Sequence, residues 1–159
     1  MTYVKLRHHR TPVLLLWLLG CTLGLQLQAL HAQEAPQHLQ AIQLKAGMHL
    51  IRAEVAAEPA QRQRGLMYRR DLDTNEGMLF VFDEPSPQCF WMKNTPTALT
   101  IAFVADDGSI VNLADMAPLS EASHCSAKPV RFTLEMNQGW FAKRGIKAGF
   151  KLGGGPFKP

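Results

Sequence analysis

No stretch of the 159-residue chain offers the roughly 20 uninterrupted apolar residues that a membrane-spanning helix needs. The best candidate, Val13 to Leu27, is broken by Gly20, Cys21, Gly24 and Gln26, which argues against a permanent span. Cysteine is scarce, with three in the chain, and neither cysteines nor histidines fall in pairs at metal-ligand spacing. A resident metal is therefore not expected, and no motif calls for a cofactor. Blocks of like charge and internal repeats are also missing, so neither a nucleic-acid footprint nor a repeat array is expected.

What is present begins with a basic amino terminus. Lys5, Arg7 and Arg10 precede the apolar run from Val13 to Leu19, the order of a secretory signal over residues 1–32. Cleavage after Ala32, in "LHAQ", competes with lipid attachment at Cys21, in "LLGC", where Leu19 is bulky for a lipoprotein signal. Cleavage to a periplasmic product is the favoured outcome, with an anchor at Cys21 as the alternative. Removing 32 of the 159 residues leaves 127, enough for one domain that buries roughly two-thirds of its unfolded surface. All 13 acidic residues but only 14 of the 17 basic ones lie beyond Ala32, so the mature chain is nearly neutral. Cys89 and Cys125 remain in it, an even pair suited to an oxidising compartment. A Cys89–Cys125 disulfide and two buried thiols both satisfy that observation.

Residues 33–44 open on the aperiodic "QEAPQHLQ" and read as a flexible arm, 153–159 read as a disordered tail, and a single domain spans 45–152. "HLIRAEVA" (49–56) alternates as a half-buried strand, while "GMLFVF" (77–82), apolar on both faces, suits a central one. Pro59 can open a helix running toward Tyr68, in which Gly65 is unfavourable unless something packs closely on it. Residues 99–105 and 110–116 flank "DDGS" as a hairpin. In "VRFTLEMN" (130–137), Val130, Phe132, Leu134 and Met136 point inward and Arg131, Thr133, Glu135 and Asn137 form a polar side. A short helix over 139–144 stops at Gly145, and "AGFKL" adds a last strand. These elements, without strand–helix alternation, predict a mainly β fold, α+β at the margin: a compact, mostly antiparallel, partly closed barrel with two short helices.

The stretches "RGLMYRRDL", "GMLFVFDE", "FWMKNT" and "LEMNQGWFAKRGIKAGF", in that order, resemble the domain of unknown function 192 family over about residues 45–152. The resemblance implies a β-rich single domain and carries no established activity. One departure follows the motif. Members often read Pro-Leu-Asp or Pro-Leu-Ser where this chain has Ala98-Leu99-Thr100, so a mechanism relying on an aspartate there would lack its carboxylate.

The candidate site lies in "QCFWMKNTP" (88–96). Strand alternation puts Cys89, Trp91, Lys93 and Thr95 on one face and Phe90, Met92 and Asn94 on the other. If both faces are covered, the Lys93 ammonium needs water, a carboxylate or a ligand's negative group. Glu135 and Asp115 are candidate partners, and Arg64 on the nearby helix is a candidate second cation. Trp91, Lys93, Asn94, Arg64, Glu135 and Asp115 together suit a small anionic or carbohydrate-like ligand, the leading expectation for a partner. A snorkelling lysine or a structural ion pair is the plainer account. An enzyme acting on an envelope metabolite or glycan, a hydrolase or transferase with Lys93 and a carboxylate as base and acid, is the second hypothesis. An envelope interaction module using this strand or Trp140 is the third. His124, Cys125, Cys89 and Asp115 make only a poor metal set, because adjacent residues seldom bind one ion together. The scattered methionines and the Trp140-Phe141 pair read as core.

Overall fold

The computed structural model describes residues 35–157; the signal-like leader, with Cys21 and Ala32, lies outside them. Among the described residues no helix is long and apolar enough to cross a membrane. The strands are β1 (Ala41–Ala46), β2 (His49–Ala56), β3 (Glu76–Ser86), β4 (Cys89–Phe90), β5 (Leu99–Val104), β6 (Ile110–Met116), β7 (His124–Cys125), β8 (Val130–Asn137) and β9 (Gly153–Gly154). Seven of them form one sheet in the order β6-β5-β8-β3-β2-β1-β9, and β4 pairs with β7 in a separate ribbon. The fold is mainly β, as the pattern of short strands predicts.

Neighbouring strands run antiparallel except β2 and β3, which are parallel. A parallel pair needs a crossover, and residues 57–75 supply it. Its helix, α1 (Pro59–Arg64), begins with Pro59 where a missing N–H is harmless, and the Gln61 side chain accepts the N–H groups of Ala57 and Glu58. The helix stops four residues short of Tyr68, because Gly65 takes φ 49° and the Phe80 ring lies 3.2 Å from where a Cβ would stand. That is the close packing which makes a glycine worthwhile there.

Both edges of the sheet meet the chain's last segment. Ile110 donates its N–H to the Phe150 carbonyl and Leu152 to that of Gly108, each at 2.9 Å, while β9 pairs with β1. The sheet thereby curls into a half barrel. One face packs Leu44, Ile51, Leu79, Phe132, Leu134, Trp140 and Phe157; the other packs Ala56, Leu66, Met78, Phe80, Met92, Ile101 and Phe103.

Several expectations are corrected by this arrangement. β8 lies between β3 and β5 in a sheet with apolar clusters packed on both faces, so Thr133 and Glu135 are buried instead of forming a solvated polar side. Residues 41–44, taken as part of a flexible arm, belong to β1, which pairs with β2 along its whole length. Phe157, in the supposed tail, is buried and meets Phe132 edge-on at 5.0 Å. Only Cys89 and Phe90 of the 88–94 strand pair with a neighbour. The chain then turns, and Asn94 is left-handed at φ 56°, which ends the alternation. Met48, at the β1–β2 turn, is exposed and not core.

Candidate functional site

Cross-strand register sets Glu54, Met78, Glu135 and Ile101 in one row across β2, β3, β8 and β5, on the face covered by the crossover. Gly77 lets β3 approach β8 closely there: a Cβ at this position would stand 2.4 Å from both the Glu135 carbonyl oxygen and the Met136 sulfur. Glu135 is 4% exposed, and burial pushes its carboxyl up to about 8. Desolvation is the cause, and no cation and no donor among the described residues offsets it. Two residues earlier on the same face, the buried Thr133 hydroxyl likewise has no partner among the described residues.

Glu135 forms part of a cavity of about 280 Å³. The crossover gives one wall, with Arg62, Arg64, Gly65 and Leu66. Opposite it stand Gln88, Cys89, Phe90, Trp91 and Thr95, and β3 adds Phe80 and Phe82. The Phe90 ring fills the centre of an aromatic cluster, edge-on to Phe80, Phe103 and Phe82 at centroid distances of 4.9, 6.2 and 6.4 Å. Arg62 is fixed by donating to the Ala57 and Val81 carbonyls, and its guanidinium lies 5.2 Å from the Phe82 ring centroid.

Tyr68 and Asn94 latch the two walls together. Tyr68 (φ 65°) donates its N–H to the Asn94 carbonyl at 2.7 Å, and the Asn94 amide donates to the Tyr68 hydroxyl at 2.9 Å. Both residues are left-handed, a conformation that costs a non-glycine residue about 1–2 kcal/mol and persists where surrounding contacts enforce it. A disulfide between Cys89 and Cys125, opposite each other in the β4–β7 ribbon, holds the second wall from behind. The even pair of cysteines is thus a bridge and not two thiols.

Of the six residues singled out in the sequence, Arg64, Trp91 and Glu135 meet on this cavity. The other three do not line it. Lys93 is on an exposed turn, its ammonium 5.1 Å from the Trp91 ring centroid, so the expected buried strand and its charge problem do not arise. Asn94 is occupied as the latch. Asp115 lies opposite Thr100, whose register partner on β8 is Met136, so its side chain points to the other face of the sheet from Glu135. There it accepts the Thr100 hydroxyl at 2.6 Å and is exposed. Trp140 is 2% exposed and belongs to the core, which removes it as a docking residue. Sequence reasoning passed over Arg62, Phe80, Phe82 and Phe90. The both-face apolarity of "GMLFVF" signalled that something covers the outer face, but not that the cover leaves a gap. No group of three or more metal-ligating side chains occurs among the described residues.

The family model DUF192, described as an uncharacterised group, matches residues 42–154. No curated protein matches the chain. Two solved structures are similar to it. A candidate transcription regulator from Sinorhizobium meliloti 1021 is 37% identical with a TM-score of 0.70, and the match covers 77% of this chain and 98% of that one. A protein of unknown function from Novosphingobium aromaticivorans DSM 12444 is 36% identical with a TM-score of 0.69, over 77% of this chain and 96% of the other.

Proposed function

The chain belongs to the DUF192 family, and we propose that it holds a small anionic or carbohydrate-like ligand in the cavity at Glu135, without transforming it. The Glu135 carboxyl carries this reading. A polar group taken out of water is normally given a partner by the fold, and this one is left open to a cavity instead. Near neutral pH it is mostly protonated and offers one donor and one acceptor without repelling an anion. Phe80, Phe82, Phe90 and Trp91 give apolar surface, and Arg62 and Arg64 make the crossover wall positive. A cavity of about 280 Å³ has room for one small ring. Export to the periplasm is part of the proposal, supported by the signal-like leader and by a disulfide of the kind that persists in oxidising compartments.

The test is a thermal-shift screen of small anions and sugars on the wild type, repeated on Glu135→Ala and Trp91→Ala. Ligands of this cavity stabilise the wild type and lose most of their effect on both variants. Hits that shift all three proteins equally would sink the proposal.

A second reading is general acid–base catalysis by Glu135, favoured by a carboxyl raised to about 8, near the pH at which proton transfer in either direction is efficient. It predicts that envelope extracts incubated with the wild type change composition by mass spectrometry, and that Glu135→Gln abolishes the change. Identical spectra for the two proteins eliminate it.

A further inference from the structure

Resting on the cavity reading above, we infer that the ligand is a sugar acid of one ring, a monosaccharide frame bearing a single carboxylate. Three features of the lining narrow the choice. Arg62 and Arg64, two apart on α1, concentrate positive charge on one wall, and Arg62 is held in place by two backbone carbonyls and the Phe82 ring. A planar guanidinium so fixed matches a carboxylate. Trp91 is 47% exposed at this site, a flat surface open to a ring's C–H face. Gln88, Thr95 and Glu135 add polar groups to the same lining, of the kind that ring hydroxyls bond.

Each simpler ligand leaves part of this lining unmatched. A neutral sugar makes no use of the guanidinium charge. An apolar ring with a carboxylate leaves Glu135 and Gln88 facing carbon, and a site built to bond hydroxyls rejects the analogue that lacks them. A cation is opposed by the positive charge of Arg62 and Arg64.

The experiment is calorimetric titration of the full mature chain with glucuronate and galacturonate, with methyl glucoside as neutral ring and cyclohexanecarboxylate as the acid without hydroxyls. At least one uronate binds about tenfold or more tighter than either control, weakens with added salt, and loses about tenfold in Arg62→Gln and in Trp91→Ala. Thermal melts of both variants establish that they are folded, and Trp91→Ala, at an exposed position, keeps the test alive if Arg62→Gln is not. Equal or tighter binding of methyl glucoside, reduced by Glu135→Ala, overturns the acid assignment while the cavity reading stands. Absence of binding by both uronates also overturns the assignment, and the broader screen then decides the cavity reading by itself.

Discussion

Two glutamates occupy the same row of the same sheet face, separated by Met78, and they are equally buried: Glu54 at 5% and Glu135 at 4% exposure. Their surroundings are opposite. Glu54 is paired with the buried Arg69 guanidinium, accepts the Leu39 N–H at 2.7 Å and has His38 at 3.8 Å. It fastens the amino-terminal segment and the crossover to the sheet, since Arg69 also donates to the Gln37 carbonyl at 3.2 Å. Glu135 has none of these partners and faces a cavity. Burial therefore does not mark a functional carboxylate. What separates the two is whether the fold answers that burial with a partner among the described residues.

The largest expected break in this contrast comes at Glu54. Replacing Arg69 by Met strands a buried carboxylate, and the loss of stability in urea unfolding is about 3–5 kcal/mol. A loss below about 1 kcal/mol would mean that Glu54 is as self-sufficient as Glu135 and that the contrast is false.

At Glu135 the expected effect is smaller per pH unit and depends on pH. Its folded value, about 8, lies above the ordinary 4.5, so folded and unfolded chains are both protonated below about pH 4.5 and the group's stabilising contribution is fully present there. Between about 4.5 and 8 the unfolded chain ionises first, and stability falls as pH rises, by about 1.4 kcal/mol per unit from this group. Glu135→Gln removes that slope. Urea midpoints of the two proteins across the window measure it, and parallel curves would show that the carboxyl is answered by something after all.

The smallest effect is expected at Lys93. Its ammonium rests on Trp91 outside the cavity, so Lys93→Met changes stability by less than about 1 kcal/mol. Loss of folding in this variant would restore the lysine to a structural role.

The strands were largely readable because alternation and turn chemistry are local. The β5–β6 hairpin follows from "DDGS", where Asp107 accepts both the N–H and the hydroxyl of Ser109, and β3 from a run apolar on both sides. The site was half readable. Trp91, Glu135 and Arg64 were noticed for their residue type, but Lys93, Asn94 and Asp115 carried the same kind of signal and lie elsewhere. Nothing local separates them. A left-handed Asn94 and a pairing register that turns Asp115 to the far face are set by contacts with Tyr68 and with β5. The burial of Thr133 and Glu135 was missed for a related reason: an alternating strand is half exposed at a sheet's surface and wholly buried when a crossover lies on it.

By itself the sequence determined the β architecture, the family and the pairing potential of its two mature cysteines, because periodicity, motif order and residue count are properties of the chain. The tertiary structure alone decided that the 57–75 crossover and the 88–95 segment would lie over the same face of β8 without meeting fully. That gap turns one glutamate of an alternating strand into a desolvated acid with an opening beside it, and no pattern along a chain records the space between two of its parts.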